Sequence, residues 1–113
     1  MPNTIPPEVY AQICEIRDKI LECVDAERIY LFGSYAYGTP HKDSDYDFYV
    51  VLPDDYPLKP LDARIKISRE MLYTDYPPMD ILADNEHRFD EMSKLPTLMR
   101  TIVKKGLVIY DRN

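Results

Sequence analysis

Two aspartates at alternate positions begin an apolar segment, and this arrangement constrains the chain more than any other feature. Residues 33–51 read GSYAYGTPHKDSDYDFYVV, with Asp45 and Asp47 directly before a run of aromatic and aliphatic residues. In a β-strand, side chains two positions apart share a face, so the two carboxylates lie together while Tyr46 and Phe48 point to the opposite face. Neighbouring carboxylates repel, and a divalent cation removes the conflict. The pattern predicts a cation site, for which Mg²⁺ is the best match because it prefers oxygen ligands.

The residues directly upstream meet a second chemical requirement. Gly33 and Ser34 follow the strand-like segment 28–32, and the pattern predicts a short helix after them. Glycine lets the backbone approach an anion closely, the N–H groups at a helix start favour phosphate, and the Ser34 hydroxyl adds a donor. A phosphate cradle shortly before a metal-binding pair is the arrangement that a nucleoside triphosphate with Mg²⁺ requires.

Apolar periodicity and turn residues divide the chain into helices and strands. The predicted helices start at Pro6-Pro7 and run to Val24, then from 61 to 73 and from 86 to 105 with an interruption at Pro96; the predicted strands cover 28–32, 45–52, 79–83 and 107–110. The strand at 45–52 has apolar residues on both faces towards its end, which favours a central position. This order predicts an α/β (α+β) fold, a small mixed sheet flanked by helices, forming a single domain over residues 1–113.

Composition and charge narrow the class of protein. The 113 residues are 45% hydrophobic and 12% aromatic, which favours a folded core, and the net charge of −6 disfavours a broad basic surface for nucleic acid or anionic membranes. Cys14 and Cys23 stand ~13 Å apart on one predicted helix, beyond the reach of a disulfide. With free thiols and no apolar run long enough for a signal peptide or membrane span, we expect a cytoplasmic protein.

The glycines, serines and aspartates of this region have the spacing of a known signature. The segments concerned are Gly33-Ser34, Gly38 and Ser44-Asp45-Tyr46-Asp47. This pattern resembles the Gly-Ser … Gly … Ser-Asp-x-Asp signature of the DNA polymerase β-like nucleotidyltransferase superfamily. Over nearly its full length the chain resembles the smallest members, the minimal nucleotidyltransferases (MNT) that are often encoded beside a HEPN-domain partner. The resemblance implies the polymerase β-like fold and a third carboxylate on a neighbouring strand, which we assign to Asp80.

The resemblance also implies roles for these residues. Asp45, Asp47 and Asp80 would hold two Mg²⁺ ions that bridge to the triphosphate of ATP, with Asp80 completing the site of the ion that activates an acceptor hydroxyl. Gly33 and Ser34 would hold the β- and γ-phosphates, while Ser44 either contacts the nucleotide or caps a turn. The implied reaction transfers AMP to a hydroxyl of a HEPN-type toxin, such as a tyrosine, so that the chain acts as an antitoxin.

Other interpretations remain open from the sequence. The Asp-x-Asp pair alone could be a solvated strand edge, and Asp80 could be a turn acid after two prolines. The chain could instead be a non-catalytic antitoxin-like binding module, or an aminoglycoside-type nucleotidyltransferase acting on a small molecule. The residues after Asp80 suffice for a helix and a closing strand, so we expect another molecule to present the acceptor.

Cations and tyrosines near the motif have two interpretations each. The cations either neutralise the charge of a triphosphate or form a solvated face, and the solvated face is the more common role. The residues concerned are Lys42, Arg64, Lys66 and Arg69. Tyr35 and Tyr37 either line the pocket or pack beneath it, and packing is favoured.

Overall fold

A four-stranded sheet forms the centre of the structure, a computed structural model that describes residues 5–40 and 44–113. The strands are β1 (Arg28–Phe32), β2 (Tyr46–Leu52), β3 (Met79–Asn85) and β4 (Leu107–Asp111), in the spatial order β3-β2-β1-β4. β1 pairs antiparallel with β2 and β4, whereas β2 and β3 are parallel. The predicted mixed sheet and the central position of the strand after the aspartates are both confirmed.

Five helices complete the described part of the chain: α1 (Pro7–Cys23), α2 (Ser34–Tyr37), α3 (Pro60–Met71), α4 (Glu86–Ser93) and α5 (Leu98–Lys105). The stretch predicted as one interrupted helix forms two, because Pro96 removes a backbone donor and Thr97 starts α5 by accepting a hydrogen bond from the backbone N–H of Arg100. α3 ends at Met71, two residues before the predicted end. Among the described residues, none of the helices has the length and hydrophobicity needed to cross a bilayer.

The sheet separates two apolar layers. On one face, α1 and α3 pack on side chains such as Phe48 and Val50 of β2. On the other face, α4 and α5 cover Tyr49 and Val51 of the same strand. This alternation follows from the two-residue period of a strand, and it confirms that β2 is apolar on both sides beyond its first residues.

The cysteines and the tyrosines of α2 test two further expectations. Cys14 and Cys23 are both free thiols, as predicted. Tyr35 packs on the ring of Tyr46 with centroids 4.8 Å apart, which confirms packing for this residue. Tyr37 is exposed, so the packing prediction is wrong for it, because a helix of one turn can bury only one side.

Phe89 anchors α4 to the sheet. Its fully buried ring lies 5.4 Å from the ring of Tyr30 and 5.1 Å from that of Tyr49, centroid to centroid. The Arg28 guanidinium lies 5.7 Å from the same ring. Aromatic pairs and a cation over the ring add to the free energy of apolar burial, so this layer depends on Phe89.

Replacing Phe89 by alanine should lower the free energy of unfolding by about 3–5 kcal/mol, because a cavity is left between α4 and the sheet. Denaturant unfolding measures this loss. Leu95→Ala is the control, since Leu95 is 52% exposed, and we expect it to change stability by less than about 0.5 kcal/mol. Equal losses in the two variants would contradict the assignment of Phe89 to the core.

Candidate active site

The parallel pairing of β2 and β3 brings two of the predicted aspartates together. Asp47 and Asp80 are register partners, one on each strand. Tyr46 and Phe48 are buried in the layer under α1 and α3, so Asp47 points to the other face of the sheet, as predicted. Asp45 is exposed and directly precedes β2, which begins at Tyr46, one position later than predicted. The three acids predicted from the sequence therefore lie at the same end of two neighbouring strands.

Tyr46 holds the backbone of Asp45 and Asp47 in place through its contacts on the opposite face of the sheet. The Tyr46 hydroxyl donates a hydrogen bond to Oε1 of Gln12 on α1 over 2.6 Å, and its ring packs against Tyr35 of α2. These contacts hold the first residue of β2 between the two helices. Asp45 and Asp47 flank that residue, so their backbone is held by the core although one of the side chains is exposed.

Electrostatic repulsion is concentrated on Asp47. Partial burial, followed by the charges of Asp80 and Asp45 and a hydrogen bond with Asp80, raises the pKa of Asp47 from 3.8 to about 6. The three carboxyl groups therefore interact electrostatically, because a negative charge on Asp80 or Asp45 disfavours ionisation of Asp47. A cation placed here would relieve that repulsion.

The donor set fits Mg²⁺, which binds proteins through one or two carboxylates and takes its other ligands from phosphates and water. Within residues 5–40 and 44–113, no three acidic, histidine or cysteine side chains form a complete metal cluster by themselves. Two carboxylates such as those of Asp47 and Asp80 leave coordination positions of Mg²⁺ for phosphate and water ligands.

Gly33 closes directly over the Asp47 carboxylate. Its φ of 77° and ψ of −163° belong to a region that only glycine adopts readily, and a Cβ at this position would overlap Oδ2 of Asp47. The Gly33 carbonyl accepts hydrogen bonds from the N–H groups of Ala36 and Tyr37, at 3.1 and 3.0 Å, which form the turn of α2. The sequence indicated glycine for close approach to an anion, but not that an aspartate of the chain occupies the adjacent space.

The remaining motif residues surround this contact. Ser34 is the first residue of α2, and its carbonyl accepts from the Thr39 N–H over 2.9 Å. Gly38 ends the helix with a left-handed φ of 81°. Ser44 is half-buried and stands immediately before Asp45. Lys42 lies outside the described residues.

The cations of α3 do not lie beside the aspartates. The buried side of α3 packs in the layer with Phe48, on the sheet face opposite Asp47. Arg64 Nε donates to the carbonyl of Ile81 over 2.8 Å. For the exposed Lys66 and Arg69 the geometry favours the solvated face over neutralisation of a triphosphate at Asp47, whereas the half-buried Arg64 fits neither interpretation because it binds the backbone of β3.

Asp84 is an acid that sequence reasoning did not single out. It shares the sheet face of Asp80, four residues further along β3, and is buried. Arg88 Nε donates to it over 2.9 Å, and burial together with Asp84 raises the pKa of Tyr49 to about 12. The even spacing of residues 80 and 84 on one strand could have revealed their shared face. Because Asp84 is paired, it joins α4 to β3.

Comparisons with known proteins identify a shared domain. The model of the family described as "Nucleotidyltransferase domain" matches residues 13–110. No curated protein sequence matches the chain significantly. Similar solved structures include a candidate nucleotidyltransferase from Sulfolobus solfataricus, with 21% identity and a TM-score of 0.62 over 90% of this chain and 79% of that one.

Two further similar structures are toxin–antitoxin complexes. One, solved with AMP-PNP, has 23% identity and a TM-score of 0.61 over 88% of this chain and 74% of that one. The other is a mutant of the pair MntA–HpeT with two aspartate-to-glutamate substitutions, at 19% identity and a TM-score of 0.60 over 88% and 72%. At these identities the structural likeness shows the nucleotidyltransferase fold, in agreement with the predicted fold class.

Gly33→Ala should lower the free energy of unfolding by about 1–3 kcal/mol, because alanine is strained at this φ and its methyl group overlaps Asp47. The double variant Gly33→Ala/Asp47→Ala separates the two causes, since it removes the overlap and keeps the backbone strain. Urea unfolding of the four proteins in the cycle should give a coupling free energy of at least about 0.5 kcal/mol. Strict additivity would contradict the contact.

Asp47→Asn should stabilise the chain at pH 7 in EDTA by roughly 1 kcal/mol, less than the unscreened equivalent of the pKa shift because the carboxyl is partly solvated. Since the folded pKa is raised, the folded state binds more protons than the unfolded state between pH 3.8 and about 6. Wild-type stability from this group therefore falls as pH rises through that window.

The measurement is urea unfolding of wild type and Asp47→Asn at pH 4 and pH 7. We expect the stability gain at pH 7 and almost none at pH 4, where the wild-type carboxyl is protonated. Asp75→Asn, at an exposed acid, is the control and should show neither change. A gain of equal size at both pH values would contradict the electrostatic origin. Adding Mg²⁺ at pH 7 should raise the Tm of the wild type more than that of Asp47→Asn.

Proposed function

Because this chain belongs to the nucleotidyltransferase domain family, we propose that Asp45, Asp47 and Asp80 hold Mg²⁺ and a nucleoside triphosphate against Gly33 and Ser34. The observation that carries the proposal is the pairing of Asp47 with Asp80, with the Asp47 carboxylate lying against Gly33. A half-buried Asp47 carboxylate beside the carboxylate of Asp80 is costly by itself, and it becomes favourable when a cation and its phosphate ligands complete the site.

The proposed reaction is attack of an acceptor oxygen on the α-phosphorus. A new phosphorus–oxygen bond forms, the bond to the bridging oxygen of the β-phosphate breaks, and pyrophosphate leaves. Bound Mg²⁺ would supply charge neutralisation for the triphosphate and lower the pKa of the acceptor hydroxyl. Asp80 is exposed at the edge strand, so it is positioned to accept the hydroxyl proton.

The phosphates require donors, which the loop before α2 supplies. The first N–H groups of a helix lack partners within the helix, and the absence of a side chain at Gly33 lets the backbone before α2 lie against the Asp47 carboxylate. We assign the β- and γ-phosphates to Gly33 and Ser34. Ser44 precedes the metal-binding pair and is assigned to the same nucleotide.

The acceptor is proposed to be a hydroxyl of a partner protein, an all-helical HEPN-type toxin, with a tyrosine as the expected residue. Two structural neighbours are toxin–antitoxin complexes, one of them solved with AMP-PNP, which supports ATP as the donor. The two substituted aspartates of the MntA–HpeT mutant are two positions apart, the spacing of Asp45 and Asp47. In this proposal the chain neutralises the toxin by transferring AMP to it.

The test is transfer of label from [α-³²P]ATP with Mg²⁺ to the helical protein encoded by the adjacent reading frame. Asp45→Asn, Asp47→Asn and Asp80→Asn should each lower the rate at least about 100-fold, because each removes charge that the transition state needs. Asp75→Asn is a matched control at an exposed acid and should retain the wild-type rate.

Three outcomes distinguish the enzyme from its alternatives. Label on the partner that disappears in the three variants supports the proposal. Partner binding without transfer by the wild type would contradict it in favour of a non-catalytic binding module. Transfer to an aminoglycoside, with no label on the protein, would identify a small-molecule nucleotidyltransferase.

A further inference from the structure

The outward side of α3 carries a row of exposed apolar side chains. Leu61, Ile65 and Leu72 are 61%, 46% and 76% exposed, and Tyr73 immediately after them is 88% exposed. Steps of four and seven residues place the first three on one side of the helix, away from its buried side. Single exposed apolar residues are ordinary, but several on one side of a helix, here with Ser68 between Ile65 and Leu72, indicate an interaction surface. We call Leu61, Ile65 and Leu72 together the α3 stripe.

A groove follows the α3 stripe and continues to the edge strand β3. The groove has a volume of about 340 Å³, and its lining is Leu61, Arg64, Ile65, Ser68, Arg69 and Leu72. A second groove, of about 400 Å³, shares Ser68 and Leu72 with the first and extends to Met79. Met79 is the first residue of β3 and precedes Asp80. The two grooves thus connect α3 with the strand that carries a predicted catalytic acid.

The charged residues that line the groove along the α3 stripe, Arg64 and Arg69, are both positive, and the exposed acids of the helix, Asp62 and Glu70, are not part of that lining. Arg64 is held against the edge of β3 by its hydrogen bond to the Ile81 carbonyl. In the described ranges 5–40 and 44–113, neither Arg64 nor Arg69 has a carboxylate within ion-pair distance. This local cationic surface stands out on a chain with a net charge of −6. It complements an acidic surface of another molecule.

The same charges argue against a second copy of the chain as the occupant. An antiparallel pair of α3 stripes would bring the two groove-lining arginines of each copy to one interface, where these four positive charges outnumber the two Asp62 carboxylates beside Ile65. A partner with carboxylates at the margins of its apolar row would instead pair with them. Charge complementarity therefore favours a different, acidic protein.

We propose that the α3 stripe binds an amphipathic helix of the partner protein whose apolar row is flanked by carboxylates. This inference rests on the proposed function, which supplies an all-helical partner. Leu61 and Leu72 are ~16 Å apart along the helix axis, which is about three helical turns. One helix of the partner can cover this length. Docking here places the partner beside the edge strand β3, one strand away from Asp47.

The test uses Ile65→Asp and Leu72→Asp, which bring a charge into the stripe without changing the core. We expect each variant to bind the helical protein encoded by the adjacent reading frame at least about tenfold more weakly in calorimetry. Leu98→Asp on α5 is the matched control, because Leu98 is 44% exposed outside the stripe, and its affinity should equal that of the wild type. Arg69→Glu should also weaken binding. Thermal unfolding of each variant confirms that the fold is retained.

The outcomes separate this inference from the proposed chemistry. If the wild type and Asp47→Asn bind equally and neither transfers label, the docking surface stands and the chemistry fails. If the stripe variants bind as tightly as the wild type, the docking surface is overturned even where transfer is observed. A wild type that does not bind the partner also overturns it. So does a dimer of the isolated chain that Leu72→Asp dissociates in sedimentation.

Discussion

The parallel pairing of β2 with β3 is the constraint on which the rest of the structure depends. Two parallel strands need a long connection, and α3 provides it, packed with α1 on one face of the sheet. The pairing makes Asp47 and Asp80 neighbours at the start of both strands, on the face that α4 and α5 cover further along. The repulsion between these acids is therefore built into the register, and one cannot be moved without displacing the strand.

Much of the local structure could be predicted from short-range signals. β1 has the predicted bounds, because five strand-forming residues end at a glycine with a positive φ. Apolar residues on both faces of β2 placed it inside the sheet, and the alternation around Tyr46 predicted the face of Asp47. The break of the last helical stretch followed from Pro96, although the two separate helices depend on the cap at Thr97.

Long-range contacts account for what the sequence could not show. Asp80 was assigned through family resemblance, and only the strand register shows that it is the direct neighbour of Asp47. The overlap that a side chain at Gly33 would make with Asp47 depends on two segments separated by a loop. The cations of α3 could be judged only once the helix was placed on the opposite face from the acids. Each of these three findings depends on how the helices and strands are arranged in space, which the identity of the elements alone does not give.

The two faces of the sheet give a physical reason for separating chemistry from recognition. Asp47 and Asp80 lie on one face of the sheet, where the Asp47 carboxylate leaves no room for a side chain at position 33. Further along the strands, aromatic residues such as Phe89 fill the layer on this face. The exposed apolar surface on α3 belongs to the other side, beside the edge strand that carries Asp80. In the proposed function, a partner held at this edge presents a hydroxyl to the acids while its binding energy comes from residues that take no part in the reaction.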